Sequence, residues 1–239
     1  MEQNNYSLPI SIIVAGALIA GGIYLVNRSS GPAGVVSKAA ATNVRSVDAT
    51  DHIQGNPQAP IKVVEYSDLE CPYCKHFDQT MRETMQYYGA SGNVAWVFRN
   101  FPLMTIHENA VTEAVADECA AEQGGSDAFF KFTDKVYQAT SDDGSLDLST
   151  LPSLAQQAGL DGQKLKACVD AGTYKTKVQK QYDEALATSA QGTPHIVFML
   201  NNTPVLVLEG NQPYSSIHAA IEQILQTMGS STPSSVVGH

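Results

Sequence analysis

IKVVEYSDLECPYC, Ile61 through Cys74, runs from an apolar, β-branched segment into two cysteines separated by Pro72 and Tyr73. Ile61 to Tyr66, directly after Pro60, reads as a short buried strand. From Pro72 to about Tyr88 no helix breaker follows the first turn, and Phe77, Met81 and Met85 recur at a spacing of four, the mark of an amphipathic helix. Val94-Ala95-Trp96-Val97-Phe98, after Gly92-Asn93, reads as a second strand. The cysteines therefore stand where a strand hands over to a helix, and that location says more than the C-x-x-C spacing alone. In a helix's first turn, amide N–H groups and the positive end of the dipole stabilise a thiolate, which marks Cys71 as the attacking sulfur. Two intervening residues keep Cys74 within disulfide reach, so it can resolve a mixed disulfide. Pro72 costs the helix little, because first-turn N–H groups have no intrahelical partner. Such a site needs no cofactor beyond the Cys71–Cys74 disulfide itself. Half of a zinc site is the other use of C-x-x-C, but no second C-x-x-C and no H-x-x-x-H occurs, so no metal is expected.

A second pair of strands is predicted at His195 to Leu200 and Val205 to Leu208, joined through Asn201-Asn202-Thr203-Pro204, and a helix carrying Ile217, Ile221 and Ile224 follows. The segment between the two strand units, about 107–190, is read as helical throughout. Its stripes are Val111, Val115 and Cys119; Phe129, Phe132 and Val136; Leu165, Cys168 and Val169; and Val178, Tyr182 and Ala185. About five helices are expected there, with Gly159 as a stop and Asp161 as a start.

GNPQAPIKVVEYSDLECPYC, RNFPL, a helical insertion and GTP before a strand, in that order, resemble the DsbA-like branch of the thioredoxin superfamily over roughly 51–225. The resemblance implies an α/β thioredoxin fold interrupted by an all-helical domain. It also implies that Thr193-Pro194 is a cis-proline loop facing the cysteines, with the backbone beside the proline free to pair with an extended substrate. On the residues alone, Gly192-Thr193-Pro194 could equally be a helix stop before a strand. Glu65 interrupts an apolar strand, where a carboxylate is costly unless paired or used. The resemblance places an acid beneath the cysteines as a proton relay; a solvent-facing edge position is the alternative. Arg99, ending the second strand, is the expected cationic neighbour of Glu65, with a solvent-exposed Arg99 as the alternative. Cys119 and Cys168 each lie on the apolar stripe of an inserted helix, so both are expected to be buried and could face each other. Similar cysteines form a second, structural disulfide in parts of the family, and two separate buried thiols are the alternative.

Fourteen Lys and Arg against twenty-four Asp and Glu give a net charge of −10, which repels a polyanion, so no nucleic-acid partner is expected. After the leader 1–7, Leu8 to Val26 runs nineteen residues without a charge. As a helix it would span ~28 Å, near the thickness of a bilayer core, and it is read as a transmembrane anchor, with a cleaved signal peptide as the rival. Arg28, Lys38 and Arg45 follow the span, and positive flanks favour the cytoplasm. A reactive cysteine pair in an oxidising compartment requires the opposite orientation, with the N-terminus cytoplasmic. Residues 27–50 read as a Ser-, Ala- and Gly-rich linker, 51–229 as the domain, and 230–239 as a loose tail. The activity implied is membrane-anchored, extracytoplasmic thiol:disulfide exchange with newly translocated proteins. Oxidation is its expected direction, with a quinone-linked partner of the DsbB or vitamin-K-epoxide-reductase-like kind. A reductase or isomerase using the same site, or a chaperone on the same scaffold, are the alternatives.

Overall fold

The structure is a computed structural model that describes residues 43–141 and 145–230. The apolar run 8–26 and the tail from 231 onward lie outside the described residues. No helix among those described is long and apolar enough to cross a membrane.

Five strands form one sheet: β1 (His52–Gly55), β2 (Ile61–Ser67), β3 (Val94–Asn100), β4 (His195–Leu200) and β5 (Thr203–Glu209). Their spatial order is β1-β3-β2-β4-β5. β2 and β3 are parallel, as a helical crossover requires, and the remaining pairs are antiparallel. The crossover is α1 (Pro72–Tyr88), whose Phe77, Met81 and Met85 face the core. β4 and β5 turn through Asn201 and Asn202 alone, both at positive φ (50° and 61°), a conformation Asn tolerates and a tight hairpin needs.

Side chains alternate across the pleat, so the sheet divides the core. Ile61, Val63, Val94, Trp96 and Phe98 pack with α1, with the inserted helices and with α6 (Tyr214–Ser230) on one face. Val64, Tyr66, Val97 and Val197 form the other face. Val44, Val47, Tyr182 and Ala185 cover it, so residues 43–50 belong to the folded unit and not to the linker that their composition suggests. Arg99 makes the attachment. Its guanidinium takes both oxygens of Asp51 at 2.9 and 3.1 Å and reaches the carbonyl of Arg45 at 3.2 Å, and Arg45 in turn binds Asp51 and Glu184.

The insertion holds α2 (Ala110–Ala139), α3 (Leu151–Gln157), α4 (Gly162–Ala171) and α5 (Lys175–Ala187). α2 breaks at Gly124-Gly125, where Gly125 adopts φ +67° and ψ −153°, so four helices make five rods. Residues 107–109 and 145–147 are not helical, which narrows the continuous helical stretch expected from the sequence. Asp161 starts α4 by accepting from the N–H groups of Gln163 and Lys164. Glycine is required at 162, because a Cβ there would lie 2.3 Å from the Pro152 carbonyl oxygen.

Candidate active site

β2 ends at Ser67, the chain turns through Asp68 to Glu70, and Cys71 is the residue that begins α1. Its carbonyl accepts the N–H groups of Cys74 and Lys75 at 3.0 and 3.1 Å. Cys71 is 4% exposed and Cys74 wholly buried, while Tyr73 between them is 63% exposed. Both are free thiols. Hydrogen bonding from Cys74 brings Cys71 down to about 6 against the opposition of burial, helped by Thr193 and by the amides of Cys74 and Tyr73. Burial pushes Cys74 the other way, well above an ordinary thiol, and the neighbouring Cys71 and Glu65 add to the rise. One pair thus holds a sulfur poised to ionise near neutral pH and a sulfur that stays protonated.

The Thr193–Pro194 peptide is cis, and the Cys71 thiol lies 3.7 Å from the Thr193 carbonyl oxygen. The loop is fixed from behind: Gly210 N–H donates to the Pro194 carbonyl at 2.8 Å, and His195 reaches Thr188 at 2.9 Å and Glu209 at 2.7 Å. The described residues therefore bring Cys71, Cys74, Thr193 and Pro194 together.

Glu65 is wholly buried on the cysteine side of the sheet. The Ser67 hydroxyl donates to one of its oxygens at 2.6 Å and the Trp96 indole to the other at 2.9 Å. Burial raises it to about 8, with the charges of Asp78 and Cys71 adding and the two hydrogen bonds opposing. The Ser67 hydroxyl also meets Tyr137 Oη at 3.1 Å, and the charge of Glu65 is among the causes that raise Cys74, so the carboxyl group lies within electrostatic reach of that sulfur. Arg99 is not the partner of Glu65. In the parallel β2–β3 register Glu65 sits opposite Phe98 and Tyr66 opposite Arg99, which puts the carboxylate and the guanidinium on opposite faces of the sheet. Arg99 binds Tyr66 Oη at 2.9 Å and Asp51 instead.

Cys119 and Cys168 are joined, with Cα atoms 5.9 Å apart, tying α2 to α4. Cys119 is buried. Cys168 is only partly so, because it faces a surface hollow of about 600 Å³ shared with Glu122, Lys164 and Thr173, and the expectation of two buried sulfurs is corrected to that extent. Among the described residues no group of three or more His, Cys, Asp or Glu could hold a metal ion.

Asp68 and His107 escaped the sequence reading. Asp68 N–H points to the Cys74 sulfur at 3.5 Å, its carbonyl accepts Cys71 N–H at 3.1 Å, and its carboxylate takes Glu70 N–H, Leu103 N–H and His107 Nδ1 at 2.9, 2.6 and 2.8 Å. The only local hint is an Asp two residues ahead of an N–H, a common turn device. The link from Asp68 to His107 crosses all of α1 and β3.

A strand-to-helix cysteine pair facing a cis-proline loop, on a five-stranded sheet split by a helical insertion, defines a thioredoxin-fold domain of the redox-active class. The chain belongs to the thioredoxin family: a family model described as Thioredoxin matches residues 47–223. It is similar to BdbD from Bacillus subtilis, solved in the oxidised state, at 25% identity and a TM-score of 0.67 over 79% of this chain and all of that one. It is also similar to DsbA2 of Pseudomonas aeruginosa, at 26% identity and a TM-score of 0.61 over 75% of this chain and 97% of that one. A probable disulfide bond formation protein D of Bacillus anthracis is 28% identical over 74% of this chain and 80% of its own length. Other curated relatives are larger. The Na(+)/H(+) antiporter NhaA 1 of Salinispora arenicola is 31% identical over 144 residues, which are 60% of this chain and 21% of the antiporter, so the chain spans about a fifth of that relative's length.

Proposed function

We propose that the protein is a DsbA-like thiol:disulfide oxidoreductase that oxidises cysteine pairs of newly translocated proteins. The observation that carries this reading is the asymmetry of the pair, with Cys71 lowered to about 6 at the helix start and Cys74 raised by burial behind it. A substrate thiolate attacks Cys71 Sγ of the oxidised pair, the Cys71–Cys74 bond breaks, and Cys74 leaves as a thiolate that must gain a proton. Glu65, protonated below about 8 and buried within electrostatic reach of Cys74, is suited to supply it. The substrate's second thiolate then attacks its own sulfur in the mixed disulfide and releases Cys71 as a thiolate. Two electrons pass from substrate to protein, and the substrate gains a disulfide. Thr193 and Pro194 dock the substrate backbone beside Cys71, and Tyr73, exposed, meets it. The Cys119–Cys168 bond supports the insertion and takes no part.

The oxidising direction follows from which state is stabilised: a low Cys71 favours the reduced form, so the disulfide is readily given up. Turnover then requires reoxidation, by a membrane partner of the DsbB or vitamin-K-epoxide-reductase-like kind. Residues 8–26 serve as the anchor that keeps the domain beside that partner on the extracytoplasmic side. A reductase would use the same residues at a lower potential. The test is oxidation of a reduced, unfolded protein by the full chain with an excess of oxidant. Disulfides should appear catalytically with wild type and not with Cys71→Ser. Equal refolding yields from both would identify a chaperone, and an equilibrium with glutathione lying far toward the disulfide would identify a reductase.

A further inference from the structure

His107 and the two cysteines are held by one residue. Asp68 accepts the Cys71 N–H, directs its own N–H at the Cys74 sulfur, and receives His107 Nδ1 at 2.8 Å on a carboxylate oxygen. An ionised carboxylate has no proton to donate, so Nδ1 carries the hydrogen and the ring is locked in one orientation. His107 arrives from the loop after β3, in which Met104 and Ile106 are exposed. The groups facing its ring are acidic. Asp68 and Glu70 come from the turn before α1, and Cys71 from the helix start. Behind Asp68 and Glu70, in the first turn of α2, lies Glu113, wholly buried with both oxygens unpartnered and raised by burial to about 8. Glu70 is itself committed, accepting Asn109 N–H at 2.7 Å. Hydrogen bonding to Asp68 raises His107, and the charges of Asp68, Cys71 and Glu70 act in the same direction. A thiolate beside Asp68 and Glu70 needs a compensating charge that a helix start alone supplies only in part.

We propose that His107, fixed by Asp68, is a positioning residue whose imidazolium charge stabilises the Cys71 thiolate and so favours the reduced state of the pair. The inference deepens the oxidoreductase reading and rests on it. With Tyr73 between the cysteines, the cation comes from a different element, 36 residues further along the chain than Cys71. As pH rises and His107 loses its proton, the thiolate loses this partner.

The test uses the reduced full chain and follows thiolate absorbance against pH in wild type, His107→Gln and His107→Lys. In His107→Gln the Cys71 midpoint should rise by about half to one pH unit, as expected for losing one partly screened charge carried by the residue that Asp68 holds beside the cysteines. The equilibrium with glutathione at neutral pH should then move about three- to fivefold toward the disulfide. His107→Lys, which restores the charge, should return the midpoint most of the way to wild type. Thermal midpoints of both variants are recorded alongside. An unmoved Cys71 midpoint in His107→Gln overturns the proposal, as does a His107→Lys variant that titrates like His107→Gln. Failure of the oxidoreductase reading shows separately, as turnover that survives Cys71→Ser whatever His107 does.

Discussion

The two cysteine pairs carry the same atoms and differ in everything around them. Cys71 and Cys74 are three residues apart, one at a helix start and one a turn inside it. Cys119 and Cys168 are 49 apart and clamp two helices of the insertion. The near pair closes almost no loop, so bonding it adds little chain-entropy stabilisation, and its chemistry is set by amides, a buried carboxyl group and the loop at Pro194. The far pair removes the freedom of a ~50-residue loop, worth roughly 4 kcal/mol in the chain-entropy model. Reactivity and stability are thus assigned to different sulfurs by position in the fold, which variants can test directly.

The largest expected effect is on turnover. Cys71→Ser should abolish catalysed oxidation to within background, a loss of at least about a thousandfold for a nucleophile removed outright. The double variant Cys119→Ala, Cys168→Ala should retain turnover per folded molecule within about twofold. If that variant loses turnover without losing stability, the second pair is a redox relay and the contrast fails.

Stability should show the reverse ranking. Losing the Cys119–Cys168 bond should cost about 2–5 kcal/mol in denaturant unfolding, as native disulfides do. Reducing Cys71–Cys74 should cost far less, or stabilise the fold, because the thiolate is better accommodated in the folded chain than in the unfolded one. A double variant as stable as wild type would remove the structural role. The partly buried Cys168 adds a refinement: attack by glutathione should fall on that sulfur and not on the buried Cys119.

A smaller effect separates the carboxyl groups of the two regions. Glu65 and Glu113 are both raised to about 8 by burial, the first beneath the cysteines and the second in the first turn of α2. A carboxyl group raised on folding contributes fully below its unfolded value, about 4.5, and that contribution is lost as pH climbs through about 8. Glu65→Gln and Glu113→Gln should each flatten the decline of unfolding free energy between about pH 5 and 8. Only Glu65→Gln should also slow proton delivery to Cys74, seen as a changed pH profile for release of the mixed disulfide. Identical exchange profiles for Glu65→Gln and wild type would take Glu65 out of the relay.

What the sequence disclosed and what it hid follow the same division between local and distant. The C-x-x-C at a strand-to-helix junction, the stripe Phe77, Met81 and Met85, and the strands at 61 and 94 are signals contained within a few residues. β1 was missed because four residues with a charged or polar member at two positions make no pattern, and its pairing with β3 is supplied from 40 residues away. Docking of residues 43–50 depends on Arg99 meeting Asp51 and the Arg45 carbonyl, which composition cannot express. The misassigned partner of Glu65 is instructive. Alternation along a parallel pair already separates Glu65 from Arg99 once the register is known, and the register is set by the whole sheet. Asp68 and His107 were hidden for a similar reason, as their contact closes a path across a helix and a strand.

The central claim is that one sulfur of the near pair is activated and the other held back. It is tested most directly by alkylating the reduced full chain with iodoacetamide across a pH series and mapping the labelled peptides. Cys71 should label with a midpoint near the value of about 6 set by its hydrogen bonds, while Cys74 stays unlabelled until far higher pH. Labelling of the two at equal rates, or Cys74 first, would contradict the account.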